Sequence, residues 1–147
     1  MWIPFGRPGA IARIAGGHRA PTLYGSVKFY QLSDAVLVAV DVTGLPRTEK
    51  GVFGLHIHEG GNCSGTDFVN TGAHYDTQKN EHPCHAGDLP PLFSCNGSAY
   101  MEVLTCRFRL KEILGKTVVI HGEPDDFRTQ PAGNAGPKIA CGIIEVP

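Results

Sequence analysis

The stretch that decides the fold is Gly54-Leu-His-Ile-His-Glu-Gly-Gly-Asn-Cys63, a short apolar run that gives two alternate positions to imidazoles. On an extended strand, residues i and i+2 point to the same face, so His56 and His58 would aim together at one point in space. Such a pair is how a strand holds a metal ion, and it is also how two surface histidines fall by chance. Its meaning depends on whether the rest of the chain supplies partners.

Working outward, alternating or continuous apolar runs occur at residues 10–15, 25–30, 36–42, 52–58, 99–108, 117–121 and 139–146. Each is of strand length, and several are rich in Val, Ile and aromatic residues. Turn chemistry separates them at Gly16-Gly17, Gly44-Leu-Pro46, Gly60-Gly61, Asn96-Gly97 and Gly133-Asn-Ala-Gly136. Residues 111–114 have room for one helical turn. No repeat, low-complexity tract or linker divides the chain, and its 147 residues suit one domain over 1–147, with 1–9 a loose N-terminal segment. The expected class is all-β. Two long irregular segments, 59–91 and 122–136, stand out, because loops of that length in a compact β domain are usually functional.

The bulk numbers exclude some classes. With 13 Lys+Arg against 14 Asp+Glu, the formal net charge is −1 and no basic run is present, so nucleic acid is not an expected partner. No apolar stretch approaches the length of a membrane span. The start, Met-Trp-Ile-Pro-Phe-Gly-Arg-Pro-Gly, lacks the charged-then-apolar order of a secretory signal. A cytoplasmic location is therefore expected, or export if a leader has been removed. Five cysteines is an odd number, so intrachain disulfides leave at least one thiol free. Cys95 and Cys106 sit at opposite ends of one strand, where about eight residues at roughly 3.3 Å each would hold their sulfurs apart.

Seven histidines stand at positions 18, 56, 58, 74, 82, 85 and 121. Singly, each is more often a surface or satisfied core residue than a ligand, and His18, in a Gly-Gly-His-Arg turn, keeps that reading. The other six gather in the two long segments or at the strand ends beside them. His82-Pro-Cys-His85 has a spacing that one turn can close around a small ion, and Asp88 follows three residues later. Imidazole plus carboxylate suits zinc or copper(II). Six histidines and an aspartate exceed what one four-coordinate ion needs, so two metals are expected, with one histidine able to serve both.

The motifs Gly-Leu-His56-Ile-His58-Glu, Gly-Ala-His74-Tyr-Asp, His85-Ala-Gly-Asp88-Leu-Pro, Val-Val-Ile-His121 and Gly-Asn-Ala-Gly-Pro-Lys-Ile-Ala-Cys141-Gly follow one another in the chain. Together they resemble the copper/zinc superoxide dismutases, over nearly the whole chain from Ala10 onward. The position of Cys63 so soon after His58 is similar to the bacterial branch of that family rather than the animal one. The resemblance implies an eight-stranded Greek-key β-sandwich or barrel whose two long loops carry the metals. It implies an enzyme that converts superoxide to dioxygen and hydrogen peroxide, with copper and zinc as cofactors. His56, His58, His74 and His121 would bind copper; His74, His82, His85 and Asp88 would bind zinc. Asp125 would be the carboxylate linking His56 on the copper side to His82 on the zinc side. Cys63 and Cys141 would form the family's disulfide. The catalytic roles would fall to His74, as proton donor, and to Lys138, as the cation beside the copper. A homodimer is not assumed.

The chain departs from the pattern in places. Lys138 stands where the family usually carries an arginine, keeping the charge but losing the planar fork that docks an anion at two points. Ala132 stands where a threonine is common, and the segment from His121 to Cys141 is short, so less guidance of the substrate is expected. His82 and His85 are closer together than in many relatives, with Cys84 between them. These departures leave an alternative open: a non-catalytic metal-binding module of the same fold.

Overall fold

Val36, Val38, Val40 and Val42 are almost fully buried while Asp41 between the last two is exposed, the period-two pattern of a strand with one face in a core. The same alternation builds a computed structural model that describes residues 6–147. Residues 1–5 of the segment expected to be loose lie outside the described residues, and by Gly9 the chain already donates to Phe29 O at 2.9 Å. Eight strands are found among the described residues: β1 (Ala10–Gly16), β2 (Tyr24–Gln31), β3 (Val36–Thr43), β4 (Val52–His58), β5 (Asp88–Phe93), β6 (Ala99–Thr105), β7 (Thr117–His121) and β8 (Lys138–Glu145). A single helical turn, α1 (Leu110–Ile113), lies between β6 and β7, close to the turn expected at 111–114.

The strands form one antiparallel sheet in the order β5-β4-β7-β8-β1-β2-β3-β6. Its terminal strands β5 and β6 approach one another, so the sheet is a nearly closed barrel. The β3–β4 and β6–β7 connections each cross over the barrel rather than joining neighbours, which is Greek-key wiring. The all-β, eight-stranded expectation is met.

Two strands depart from simple alternation, and they place the site. Every residue of β7 is buried, and so is every residue of β4 after Val52. Phe53, Leu55 and Ile57 of β4, with Val118 and Ile120 of β7, belong to the barrel core. Gly54, His56, His58 and His121 therefore face outward, and their burial comes from the two long loops folded over them. The second loop seats on Gly54, whose N–H donates to Glu123 O at 2.9 Å and whose missing side chain would have met Ala135 Cβ at 2.9 Å.

The segment 59–91 is not irregular throughout. Its last residues, from Asp88 on, belong to β5, paired with β4 so that Asp88 lies opposite His56. The ladder is irregular between Phe53 and Leu55, and Pro90 and Pro91 sit in that break, where a missing N–H costs no ladder bond. The run at 99–108 is also shorter than its pattern suggests: β6 stops at Thr105, and Phe108 reaches the core from beyond the strand.

Candidate metal centre

His56 and His58 are neighbours on the outer face of β4, and β7, paired beside it, brings His121 to the same face. A register shift between Ile120 and His121 sets His121 opposite Lys138 of β8. The first loop returns to the sheet at an isolated bridge between His58 and His74. It is tied down by the disulfide Cys63–Cys141, which joins it to β8. His56, His74, His82, His121, Asp88 and Asp125 are all buried, although His18 stays on the surface.

The ligand atoms form two overlapping groups. One atom each from His56, His58, His74 and His121 lie within 4.8 Å of one another, as do one each from His56, His74, His82 and Asp88. His56 and His74 belong to both groups, and the His74 ring centroid lies 4.9 Å from that of His58 and 5.3 Å from that of His82. His85 stands at the second group through Asp88, whose Oδ2 is 3.1 Å from its Nδ1. The structure thus brings together every histidine expected to bind metal.

Hydrogen bonds fix which ring nitrogens carry protons. A carbonyl or carboxylate oxygen can only accept, so the nitrogen facing it is N–H. His58 Nδ1 donates to Gly72 O at 2.8 Å and His121 Nδ1 to Gly136 O at 3.3 Å. His56 Nε2 donates to Asp125 Oδ2 at 2.8 Å, and His82 Nε2 to Asp125 Oδ1 at 2.7 Å. His74 Nδ1 donates to Asp88 Oδ1 at 2.8 Å. The opposite nitrogens are then bare lone pairs. Among the described residues, four buried ring nitrogens, His56 Nδ1, His74 Nε2, His82 Nδ1 and His85 Nδ1, have no hydrogen-bond partner. His58 Nε2 and His121 Nε2 face each other at 3.2 Å.

Protonation does not relieve this arrangement. Burial, followed by the neighbouring His121, drives the His58 imidazole down to about 2, and burial, followed by His56, drives His121 down to about 3. His56 is lowered as well, chiefly by burial, against the pull of Asp125. The aspartates go the other way. Burial opposes ionisation of Asp125, but hydrogen bonds from His56, His82 and the Phe127 N–H overcome it and hold the carboxyl at about 2. Asp88 is lowered in the same manner, burial being outweighed by His74 and the other imidazoles. Neutral imidazoles and ionised carboxylates with converging lone pairs are a donor set for cations of the zinc and copper kind. The residues present fit two such ions.

Three contributions carry no side-chain signal in the sequence. Gly72 O and Gly136 O orient two rings through backbone carbonyls. Gly133, at φ +69°, lets the second loop pass so close that a Cβ there would lie 2.1 Å from Asp125 Oδ1 and 2.5 Å from His82 Nε2. Phe127 adopts φ 62°, rare for a bulky residue, and its N–H meets Asp125 Oδ1 at 2.7 Å. Lys138 is half-buried at the rim, where its Nζ donates to Thr71 Oγ1 at 2.8 Å and to Gly72 O at 3.0 Å. Burial lowers its pKa. Arg128 is exposed on the second loop.

A Greek-key β-barrel whose outer face carries a buried, two-part histidine and carboxylate site is a metalloprotein scaffold. The family model of copper/zinc superoxide dismutase (SODC) matches residues 23–144. The chain is 34% identical to superoxide dismutase [Cu-Zn] 1 of Aquifex aeolicus, over 82% of this chain and 79% of that one. It is 35% identical to superoxide dismutase [Cu-Zn] of Legionella pneumophila, over 85% of this chain and 80% of that one. Among solved structures, a double mutant of a SOD-like protein from Bacillus subtilis superposes with a TM-score of 0.78 at 26% identity, covering 92% of this chain and 96% of that one. The chain belongs to the copper/zinc superoxide dismutase family.

Proposed function

We propose that this protein is a superoxide dismutase, converting two superoxide anions and two protons to dioxygen and hydrogen peroxide. The observation that carries the reading is the pair of bare nitrogens, His58 Nε2 and His121 Nε2, facing each other at 3.2 Å. A cation held by both would engage two buried lone pairs that otherwise face one another. His56 Nδ1 and His74 Nε2, both without partners, complete a four-nitrogen set for copper. His82 Nδ1, His85 Nδ1, the Asp88 carboxylate and, once it gives up the proton it shares with Asp88, His74 Nδ1 would make the set for zinc. When bound, copper supplies reversible one-electron chemistry and zinc a fixed positive charge.

The chain's own residues do the rest. Asp125 holds His56 and His82 in the tautomers that leave their Nδ1 atoms free, so one carboxylate orients a ring at each end of the site. His74 Nε2 is the nitrogen on the copper side, and it is the atom placed to hold the proton that the peroxide product needs. An ammonium has three N–H donors, and Lys138 commits two of them to Thr71 and Gly72. The third remains for an incoming anion. Lys138 therefore stands in for the family's arginine as a point charge rather than a fork.

The test compares zinc-loaded with copper- and zinc-loaded protein in a superoxide-consumption assay, using wild type and His121→Ala. Consumption that requires copper and is lost in the variant is expected. Copper bound by the wild type without superoxide consumption would instead favour the non-catalytic module.

A further inference from the structure

Outside the histidine site, the structure brings two of the three free cysteines to one place. Cys84 lies in the turn between His82 and His85, and Cys106 follows the end of β6; both are exposed. They line the same surface cavity of about 270 Å³, together with Asp76, Asn80 and Arg107. Arg107, next in sequence to Cys106, holds the two segments together. Its Nη1 donates to Pro83 O at 2.6 Å and to His85 O at 3.2 Å, the carbonyls on either side of Cys84. The Cys84 turn is closed by its own N–H on Glu81 O at 2.7 Å. The backbone beside each thiol is thus pinned, and both exposed cysteines line the cavity.

We propose that Cys84 and Cys106 form a two-thiolate site for Cu(I), separate from the histidine ligands. Thiolates are soft ligands and select soft ions. Asp76 is the one carboxylate lining the cavity, and it is not available as a third ligand. Its oxygens accept from Asn80 N at 2.7 Å, Asn80 Nδ2 at 3.2 Å and Ala86 N at 3.3 Å. A set of two sulfurs falls short of the four ligands zinc takes, and of the six or more oxygens calcium takes, but it satisfies a d¹⁰ monovalent ion.

A bridging ion also tolerates a wider separation of the two sulfurs than a disulfide does. Metal–thiolate bonds of about 2.3 Å each, as for zinc, join sulfurs up to about 4.6 Å apart. A disulfide needs them at about 2.05 Å. Binding is Cu⁺ plus two thiols giving a bis-thiolate complex of charge −1 and two protons released to solvent, with no change of oxidation state. The Arg107 guanidinium on the cavity wall supplies the matching positive charge. The site stands whether or not the histidine centre is a dismutase.

The experiment titrates copper- and zinc-loaded protein, kept reduced and free of oxygen, with Cu(I) against a chromophoric Cu(I) chelator. One Cu(I) bound beyond the histidine centre is expected, with an ultraviolet thiolate-to-copper charge-transfer band. It should be lost in Cys84→Ser and in Cys106→Ser and kept in Cys95→Ser. No extra uptake by the wild type, uptake retained in either of the first two variants, or uptake lost in Cys95→Ser would overturn the proposal. So would uptake that occurs only as zinc leaves, because it would place the copper on His82 and His85.

Discussion

His58 and His121 face one another through Nε2 atoms 3.2 Å apart, and neither atom carries a proton. Each ring spends its one N–H on a loop carbonyl, Gly72 O for His58 and Gly136 O for His121. The two loops therefore set the tautomers of two rings whose positions come from paired strands. Barrel and loops together aim the nitrogens, and an ion held by both rings would tie the loops to the barrel.

The metal-free protein should lose stability in acid. In the folded state His58 and His121 titrate at about 2 and about 3, against 6.5 when exposed. As the pH falls through 6.5, the unfolded chain takes up protons that the folded chain refuses, so stability declines from there toward pH 3. The limit is about 1.4 kcal/mol per pH unit for each ring. Urea midpoints of the metal-free protein at pH 7.5, 6.5, 5.5 and 5.0 should fall progressively below 6.5 and stay level above it. A constant midpoint across the series would contradict the buried, neutral rings.

Replacing Asp125 should weaken both metals at once. Its two oxygens hold His56 at 2.8 Å and His82 at 2.7 Å, the first a ring of the proposed copper set and the second of the proposed zinc set. Loss of such an orienting partner costs about 10–100-fold in affinity. In Asp125→Ala, competition titrations should show copper and zinc weakened together. A loss confined to one metal would mean that the carboxylate does not couple the two ends.

Gly133→Ala should damage the zinc end first. The added methyl would fall 2.1 Å from Asp125 Oδ1, on the side of the carboxylate that His82 uses, at a backbone φ of +69°. The second loop must shift, and His82 loses its anchor. Zinc affinity measured by chelator competition should drop more than copper affinity. Unchanged zinc affinity would show that the loop can move without disturbing Asp125.

Much of this was legible in the sequence because side chains announced it. The alternate imidazoles of His56 and His58 sit where expected on β4, and the histidines of the motifs converge as the resemblance implied. The strand Asp88–Phe93 was hidden because Pro90-Pro91 reads as a breaker; it is tolerated at a break in the ladder, on a strand paired only with β4. Gly72, Gly133 and Gly136 were not legible as site residues, since what they contribute is a carbonyl or a missing Cβ. The neighbourhood of Cys84 and Cys106 was not legible either. It depends on Arg107 reaching across 24 positions to Pro83 O.

Reducing the Cys63–Cys141 bridge should destabilise the fold without removing any metal ligand. It closes 78 residues, for which the chain-entropy model gives about 4.5 kcal/mol. The bridge also anchors the loop that carries Gly72, so the Cys63→Ser variant should show a lower melting temperature and a weaker hold on copper. A melting temperature equal to that of the wild type would contradict the assignment of this bridge as the staple of the first loop.

The central claim is tested most directly by following superoxide decay by pulse radiolysis on protein loaded with copper and zinc, over a series of ionic strengths. The account predicts decay proportional to enzyme concentration and far faster than the spontaneous reaction. It also predicts slowing as salt screens Lys138 from the incoming anion. Decay no faster than the spontaneous reaction, with copper demonstrably bound, would contradict it.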